Sequence, residues 1–222
     1  MTQIDKGTIQ YRDELVRKTI HLFSLSIPIV YYYVTRQAAI AVLLPLTLFS
    51  LVLDLGRYFN PRLGKVFYLI FGFMLRDHEM DSKKKNLNGA TYVLISALIC
   101  VLLLPKVFFL TAFSVLILSD SSAALIGRKF GKHKFLSKSL EGTMAFFVSA
   151  CLVVTFSPKV TGSIQEYLIG YFAVAVGAIA ENVSYGWADD NMTIPLSIGF
   201  TMWLLYYIFL PGLNPILPNA PL

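Results

Sequence analysis

The sequence predicts an all-α fold: a polytopic membrane helical bundle of about seven transmembrane helices, with its N-terminus cytoplasmic and one short helix at the interface. Composition, apolar runs and charge placement carry this reading. Of the 222 residues, 56% are hydrophobic and 14% charged, and the mean hydropathy is +0.64. That is too apolar for a soluble domain of this size. A spanning helix needs about 20 mostly apolar residues, and such runs lie near 19–35, 38–53, 89–104, 107–126, 140–156, 167–180 and 195–210. The chain is then a single integral membrane domain, 1–222, with no soluble unit.

Charge orients the bundle. With seven spans and an internal N-terminus, segments 1–18, 54–88, 127–139 and 181–194 face the cytoplasm and hold 16 of the 19 Lys and Arg, leaving Arg36, Lys106 and Lys159 outside. Retained positive charge sets orientation. An eighth apolar run, LGKVFYLIFGFML (63–75), is 13 residues long and begins beside Lys65. If it crossed the bilayer, the basic loop from Arg128 to Lys138 would move to the far side, so it is expected to lie at the interface. The net charge of +6 reads as topology plus attraction to phosphate, and not as a nucleic-acid surface. Cys100 and Cys151 fall inside apolar runs without metal-ligand spacing and are expected in the core. The first run reads as a retained span and not a cleavable signal, and the tail LPGLNPILPNAPL is too Pro-rich for a helix and is expected to fray.

Ionisable groups at membrane depth cost about 2.5 to 3.5 kcal/mol when unpaired, so each is a functional candidate. Asp54, Asp120, Glu141, Glu181, Asp189 and Asp190 all fall at predicted cytoplasmic ends of spans, and Glu166 alone of the remaining acids falls outside. Carboxylates facing a basic loop suit a divalent cation carrying a polyphosphate, because Mg2+ is usually held by one or two carboxylates plus phosphate oxygens.

Residues 119–143, SDSSAALIGRKFGKHKFLSKSLEGT, concentrate the signal. A helix continued through Asp120, Gly127 and Gly131 sets a carboxylate and two residues without side chains on one face. The glycines permit close approach, Arg128, Lys132 and Lys138 can neutralise phosphate oxygens, and the turn from Lys138 and Ser139 to Gly142 places helix N-terminal amides where an anion can bind. It is not a Walker loop, since GRKFGKH has one residue too few between its glycines and no Ser or Thr after the Lys. The plain alternative is a basic loop whose glycines serve helix packing.

These residues resemble the polyprenol kinase family, which comprises dolichol kinase, phytol kinase and CTP-dependent diacylglycerol kinase. Its pattern D-x-x-A-x-x-x-G-x-x-x-G followed by K-x-x-E-G is met by Asp120, Ala123, Gly127, Gly131, Lys138, Glu141 and Gly142. RKTIH, with Arg17, Lys18 and His21, is similar to the family's R-K-x-x-H, and ENVSYGWADDNMTIP (181–195) to its E…D-N-x-x-(I/V)-P element. The resemblance implies transfer of the γ-phosphoryl group, usually of CTP with Mg2+, to the hydroxyl of a membrane lipid alcohol; CTP as donor comes from the resemblance alone. Phosphatidate cytidylyltransferases carry a similar loop and are the runner-up. From 160 to 222, however, this chain has no Lys or Arg, which leaves little to hold a phosphatidate headgroup.

On this reading Asp120 is the leading metal ligand, with pairing to Arg128 or Lys129 as its plain alternative. Lys138 and Arg128 meet phosphate, Ser139 belongs to the nucleotide turn, and Glu141 binds metal or caps its helix. Glu181 or Asp190, beside Asn182 and Asn191, binds a second metal or accepts the hydroxyl proton, and the residues do not decide which. His21 shares a helix face with Arg17 and orients phosphate or acceptor, or is only packed. Asp54 pairs with Arg57 three residues on. A transporter or scaffold would instead spread its acids through the bilayer, whereas here they gather at one face.

Overall fold

The computed structural model describes residues 11–72, 75, 86–184 and 189–222. Lys6, Arg76, Lys83, Lys84 and Lys85 of the charge asymmetry, and positions 185–188 of the ENVSYGWADDNMTIP element, lie outside the described residues. The described chain forms α1 (Tyr11–Phe23), α2 (Ser26–Tyr33), α3 (Arg36–Phe59), α4 (Pro61–Phe71), α5 (Gly89–Leu103) and α6 (Lys106–Phe130). A hairpin of β1 (Lys134–Phe135) and β2 (Lys138–Ser139) follows, then α7 (Leu140–Phe156), α8 (Ile164–Val183) and α9 (Asp190–Phe209). Four of these, α3, α6, α8 and α9, are long and apolar enough to cross a membrane, and α5 and α7 are shorter apolar helices. The protein is an all-α membrane bundle.

The single run expected at 19–35 is divided between α1 and α2. Pro28 has no N–H to give to the carbonyl of Ser24, and its ring crowds that carbonyl. The chain turns there through shorter bonds, from Ser24 N to His21 O (2.9 Å), Leu25 N to Leu22 O (3.0 Å) and Ile27 N to Ser24 O (3.0 Å). Helix α4 starts where Asn60 accepts from the amides of Arg62 and Leu63 and Pro61 takes the first turn. At 11 residues it is about 16 Å long, half of a hydrocarbon core.

Helix α6 is the axis of the bundle. Phe108, Phe109, Phe113, Leu116 and Ile117 are fully buried, as expected for a helix apolar all round, and it contacts α1, α2, α5, α7 and α9. Phe109 stacks on Phe113 at 5.0 Å and takes the edge of Tyr31 at 4.9 Å. Alternation of the helices brings the ends of α6 and α8 together with the starts of α1, α7 and α9. The opposite end is closed by the tail, which is non-helical as expected but not frayed. Arg36 N donates to Leu222 O (3.2 Å), Lys106 Nζ to Val34 O (2.7 Å) and to Pro221 O, and Leu217 is buried.

Candidate active site

The hairpin after α6 is fixed by Asn182 of α8. Its Oδ1 accepts from the amides of Ser137 (2.8 Å) and Lys138 (3.2 Å), while its Nδ2 donates to Thr143 Oγ1 on α7 (2.6 Å). One buried amide side chain thus ties hairpin, α7 and α8 together. The adjacent Glu181 then receives Lys138, whose Nζ is 2.5 Å from Glu181 Oε1 and 3.7 Å from Asp190 Oδ2. Burial opposes the charge on Lys138, but the carboxylates of Asp190, Glu181 and Asp120 outweigh it and raise its pKa above the ordinary lysine value. Glu181 and Asp190 are buried, and among the described residues Glu181 Oε2 has no hydrogen-bond partner. Asn191 turns back on the start of α9, donating Nδ2 to Asp189 Oδ1 at 2.6 Å.

Asp120 is buried on α6, and its partner is Lys18 of α1, not Arg128 or Lys129. His21 Nε2 lies 3.7 Å from the same Oδ2 and makes no hydrogen bond among the described residues. Arg128 pairs with Glu14, Nη2 to Oε2 at 3.3 Å, and Arg17 donates to both oxygens of that carboxylate at 2.5 and 3.2 Å. Arg17, Lys18 and His21 therefore join Asp120 and Arg128 at the end of the bundle that holds Lys138, Glu181 and Asp190.

The glycines meet protein. A Cβ on Gly127 would lie 3.0 Å from Ser139 Oγ and 3.3 Å from Gly142 Cα, and one on Gly142 would lie 3.1 Å from Ala123 O and 3.2 Å from Gly127 Cα. Ala123, Gly127 and Gly142 are the surface on which α6 and α7 touch, so the packing alternative describes them. Gly131 ends α6, its amide on Gly127 O at 2.9 Å. The α7 amides expected to be free are engaged: Ser139 Oγ caps Gly142 N (3.2 Å), and Leu140 N donates to His133 O (2.8 Å). Glu141 caps outward instead of joining the carboxylates, accepting from Lys132 N (3.1 Å) and facing His133 Nδ1 (2.7 Å).

Asp54 pairs with Arg57 as expected, Nε to Oδ1 at 3.0 Å, an ion pair poorly aligned for a hydrogen bond. With Asn88 N on Asp54 Oδ2 (2.7 Å) and Arg57 Nη2 on Asn86 O (2.9 Å), the pair anchors the start of α5. Among the described residues no three His, Cys, Asp or Glu side chains gather as a metal cluster. Sequence reasoning passed over Glu14 and Thr143. A lone Glu in a charged stretch ahead of an apolar run looks solvated, and a Thr at the first turn of α7 looks like a cap.

No family model matches the chain, and no solved structure matches it. It is 28% identical over 170 residues to CTP-dependent diacylglycerol kinase 1 of Schizosaccharomyces pombe, spanning 68% of this chain and 74% of that one. It is 30% identical over 96 residues to phytol kinase of Synechocystis sp., 41% of each chain. It is 36% identical over 91 residues to dolichol kinase of Schizosaccharomyces pombe, 39% of this chain and 17% of that one. Paired cations and carboxylates from four helices and a hairpin meet at one end of an apolar bundle, and the chain is similar to membrane lipid kinases, namely phytol kinase, dolichol kinase and CTP-dependent diacylglycerol kinase.

Proposed function

We propose that the chain transfers the γ-phosphoryl group of CTP to the hydroxyl of a membrane lipid alcohol, either an isoprenoid alcohol such as phytol, polyprenol or dolichol, or diacylglycerol. The observation that carries this reading is the approach of Lys138 to Glu181 and Asp190 beside the pair of Lys18 and Asp120. Phosphoryl transfer asks a protein for positioning and charge neutralisation more than for covalent chemistry, and this cluster offers both at the rim of a bilayer that dissolves the acceptor. Two relatives carry CTP in their names, which supports the choice of donor.

Seven crossings follow if α1 with α2 makes one and α3, α5, α6, α7, α8 and α9 make the others, with α4 at the interface. The charge asymmetry then puts the N-terminus and the hairpin in the cytoplasm, where CTP and Mg2+ are found. Mg2+ needs only one or two carboxylates besides phosphate oxygens, which any one or two of Asp120, Glu181 and Asp190 would supply, and Oε2 of Glu181 is buried without a hydrogen-bond partner among the described residues. Mg2+ held there would offset the charge of the triphosphate. Glu141, bound to its own loop, is less suited than Glu181. Lys138, Lys18, Arg17 and Arg128 turn their donors to phosphate oxygens. Glu181 or Asp190 accepts the hydroxyl proton as the lipid oxygen bonds to the γ-phosphorus and the bond to the β–γ bridging oxygen breaks, releasing CDP.

The test is to incubate the purified chain with Mg2+, γ-labelled CTP or ATP, and phytol, farnesol, polyprenols, diacylglycerol or phosphatidate. Label in an alcohol supports the reading. Pyrophosphate release with phosphatidate alone would make it a cytidylyltransferase, and silence with every pair would favour a transporter or scaffold.

A further inference from the structure

Glu14 is fully buried, and the reaction as drawn gives it no role. Its carboxylate takes both Arg17 bonds on α1 and faces Arg128 from α6. Glu14, Lys18 and His21 stand at i, i+4 and i+7, one face of α1. That face runs antiparallel along α6, Glu14 against Arg128 and Lys18 and His21 against Asp120. Two guanidiniums from different helices repel unless an anion lies between them. With Glu14 between them, each keeps a rim in contact with the surroundings, 15% exposed for Arg17 and 18% for Arg128. A guanidinium has five N–H donors, more than one shared carboxylate accepts. As a mere staple this triad is a poor choice, since buried ion networks are often replaced by apolar packing without loss of stability.

We infer that Glu14 is a positioning residue, which holds Arg17 and Arg128 as a rigid pair presented to the triphosphate. The inference rests on the kinase reading above. Because it acts through the two arginines, Glu14 sets nucleotide affinity and not the rate of the chemical step or the affinity for the lipid.

The test compares wild type, Glu14→Gln and Glu14→Asp as purified full-length chains. Initial rates are measured against CTP and against the accepted alcohol, Mg·CTP binding by calorimetric titration, and unfolding by thermal midpoint. Glu14→Gln should raise both KM and Kd for CTP about tenfold, the loss expected for one charge-assisted contact, with kcat and acceptor KM within about twofold. Glu14→Asp, which keeps the charge on a shorter arm, should be intermediate, near threefold. A wild-type KM and Kd for CTP in Glu14→Gln overturns the inference, as does a fall in kcat that tracks the thermal midpoint. If Glu14→Gln does not fold, Glu14→Asp decides: a raised CTP KM supports positioning, and a wild-type KM overturns it. A wild-type chain that neither binds Mg·CTP nor phosphorylates any alcohol removes the kinase reading and this inference together, whereas an active wild type with an indifferent Glu14 removes only the inference.

Discussion

Lys138 reaches Glu181 across 43 positions of sequence, Nζ to Oε1 at 2.5 Å, and Asn182, the next residue, holds the Lys138 amide. One turn of α8 therefore places both the backbone and the ammonium of this lysine. Lys138→Ala should lower turnover about 10²- to 10³-fold, the usual loss for one charge-stabilising donor. It should also destabilise the fold by about 1 to 3 kcal/mol, between the values for exposed and buried pairs, because the lysine is partly exposed. Adding Glu181→Gln removes the unpaired carboxylate and should recover much of the thermal midpoint without recovering turnover. Recovery of both would mean that the pair is only structural.

The pH dependence follows from the same contacts. The Lys138 pKa is raised by Asp190, Glu181 and Asp120 against the effect of burial. Its contribution to stability is complete below the lysine value of the unfolded chain, about 10.4, and is lost as pH rises through the higher folded value. From pH 6 to 9 the ammonium stays charged. An alkaline fall in kcat/KM within that window should persist in Lys138→Arg, and its absence there would assign the fall to Lys138.

Asp120 and Lys18 form the second pair, buried on both sides. Asp120→Asn should leave membrane insertion intact and abolish transfer, and it strands the Lys18 ammonium at a cost of about 3 kcal/mol or more. Lys18→Met alone should cost a similar amount. Because each single change leaves one buried charge, the double variant should be more stable than either, as thermal unfolding in detergent would reveal. Normal turnover in Asp120→Asn would remove Asp120 from the site.

The helices were legible because apolar length is a local property. The runs predicted for α3 and for α5 to α9 overlap the helices, with ends that differ by up to six residues, and Pro28 carried a readable but overlooked signal for the break between α1 and α2. The partners were not legible. Asp120 was expected as a metal ligand, with a cation on its own helix as the plain alternative, but α1 lies antiparallel on α6 and delivers Lys18 from 102 positions away. No spacing rule reports such a contact. The hairpin was invisible for another reason: strands of two residues have no room for alternation, and Leu136 turns it at φ 50°, a region seldom entered by a branched apolar residue. The candidate residues were read from motif, and what each touches came from tertiary packing.

The contact between α6 and α7 makes the glycines a separate test. Alanine at Gly142 would press on Ser139 Oγ at 3.0 Å and Ala123 O at 3.1 Å. Such overpacking costs about 1 to 3 kcal/mol. Gly131→Ala should be worse, since its Cβ would fall 2.2 Å from Gly127 O and 2.9 Å from Ser139 Cβ. Both should lower the thermal midpoint in that order, and CTP KM should rise only as the hairpin carrying Lys138 is displaced. A raised KM with an unchanged midpoint would instead mean that phosphate itself occupies the glycine face.

Orientation rests on the placement of cations and can be tested without any substrate. His133, at the hairpin, and Lys159, between α7 and α8, lie at the two ends of α7, so they must face opposite sides if α7 crosses. With Cys100 and Cys151 replaced by Ala, His133→Cys should react with a membrane-impermeant maleimide only from the cytoplasm and Lys159→Cys only from outside. His133 is well exposed, so failure to label there cannot be put down to burial. Labelling of both from one side would mean that the 17 residues of α7 do not cross. Inversion of the two would put the lysines of the hairpin on the side that lacks CTP, and a cytoplasmic kinase site could not then be built from Lys138.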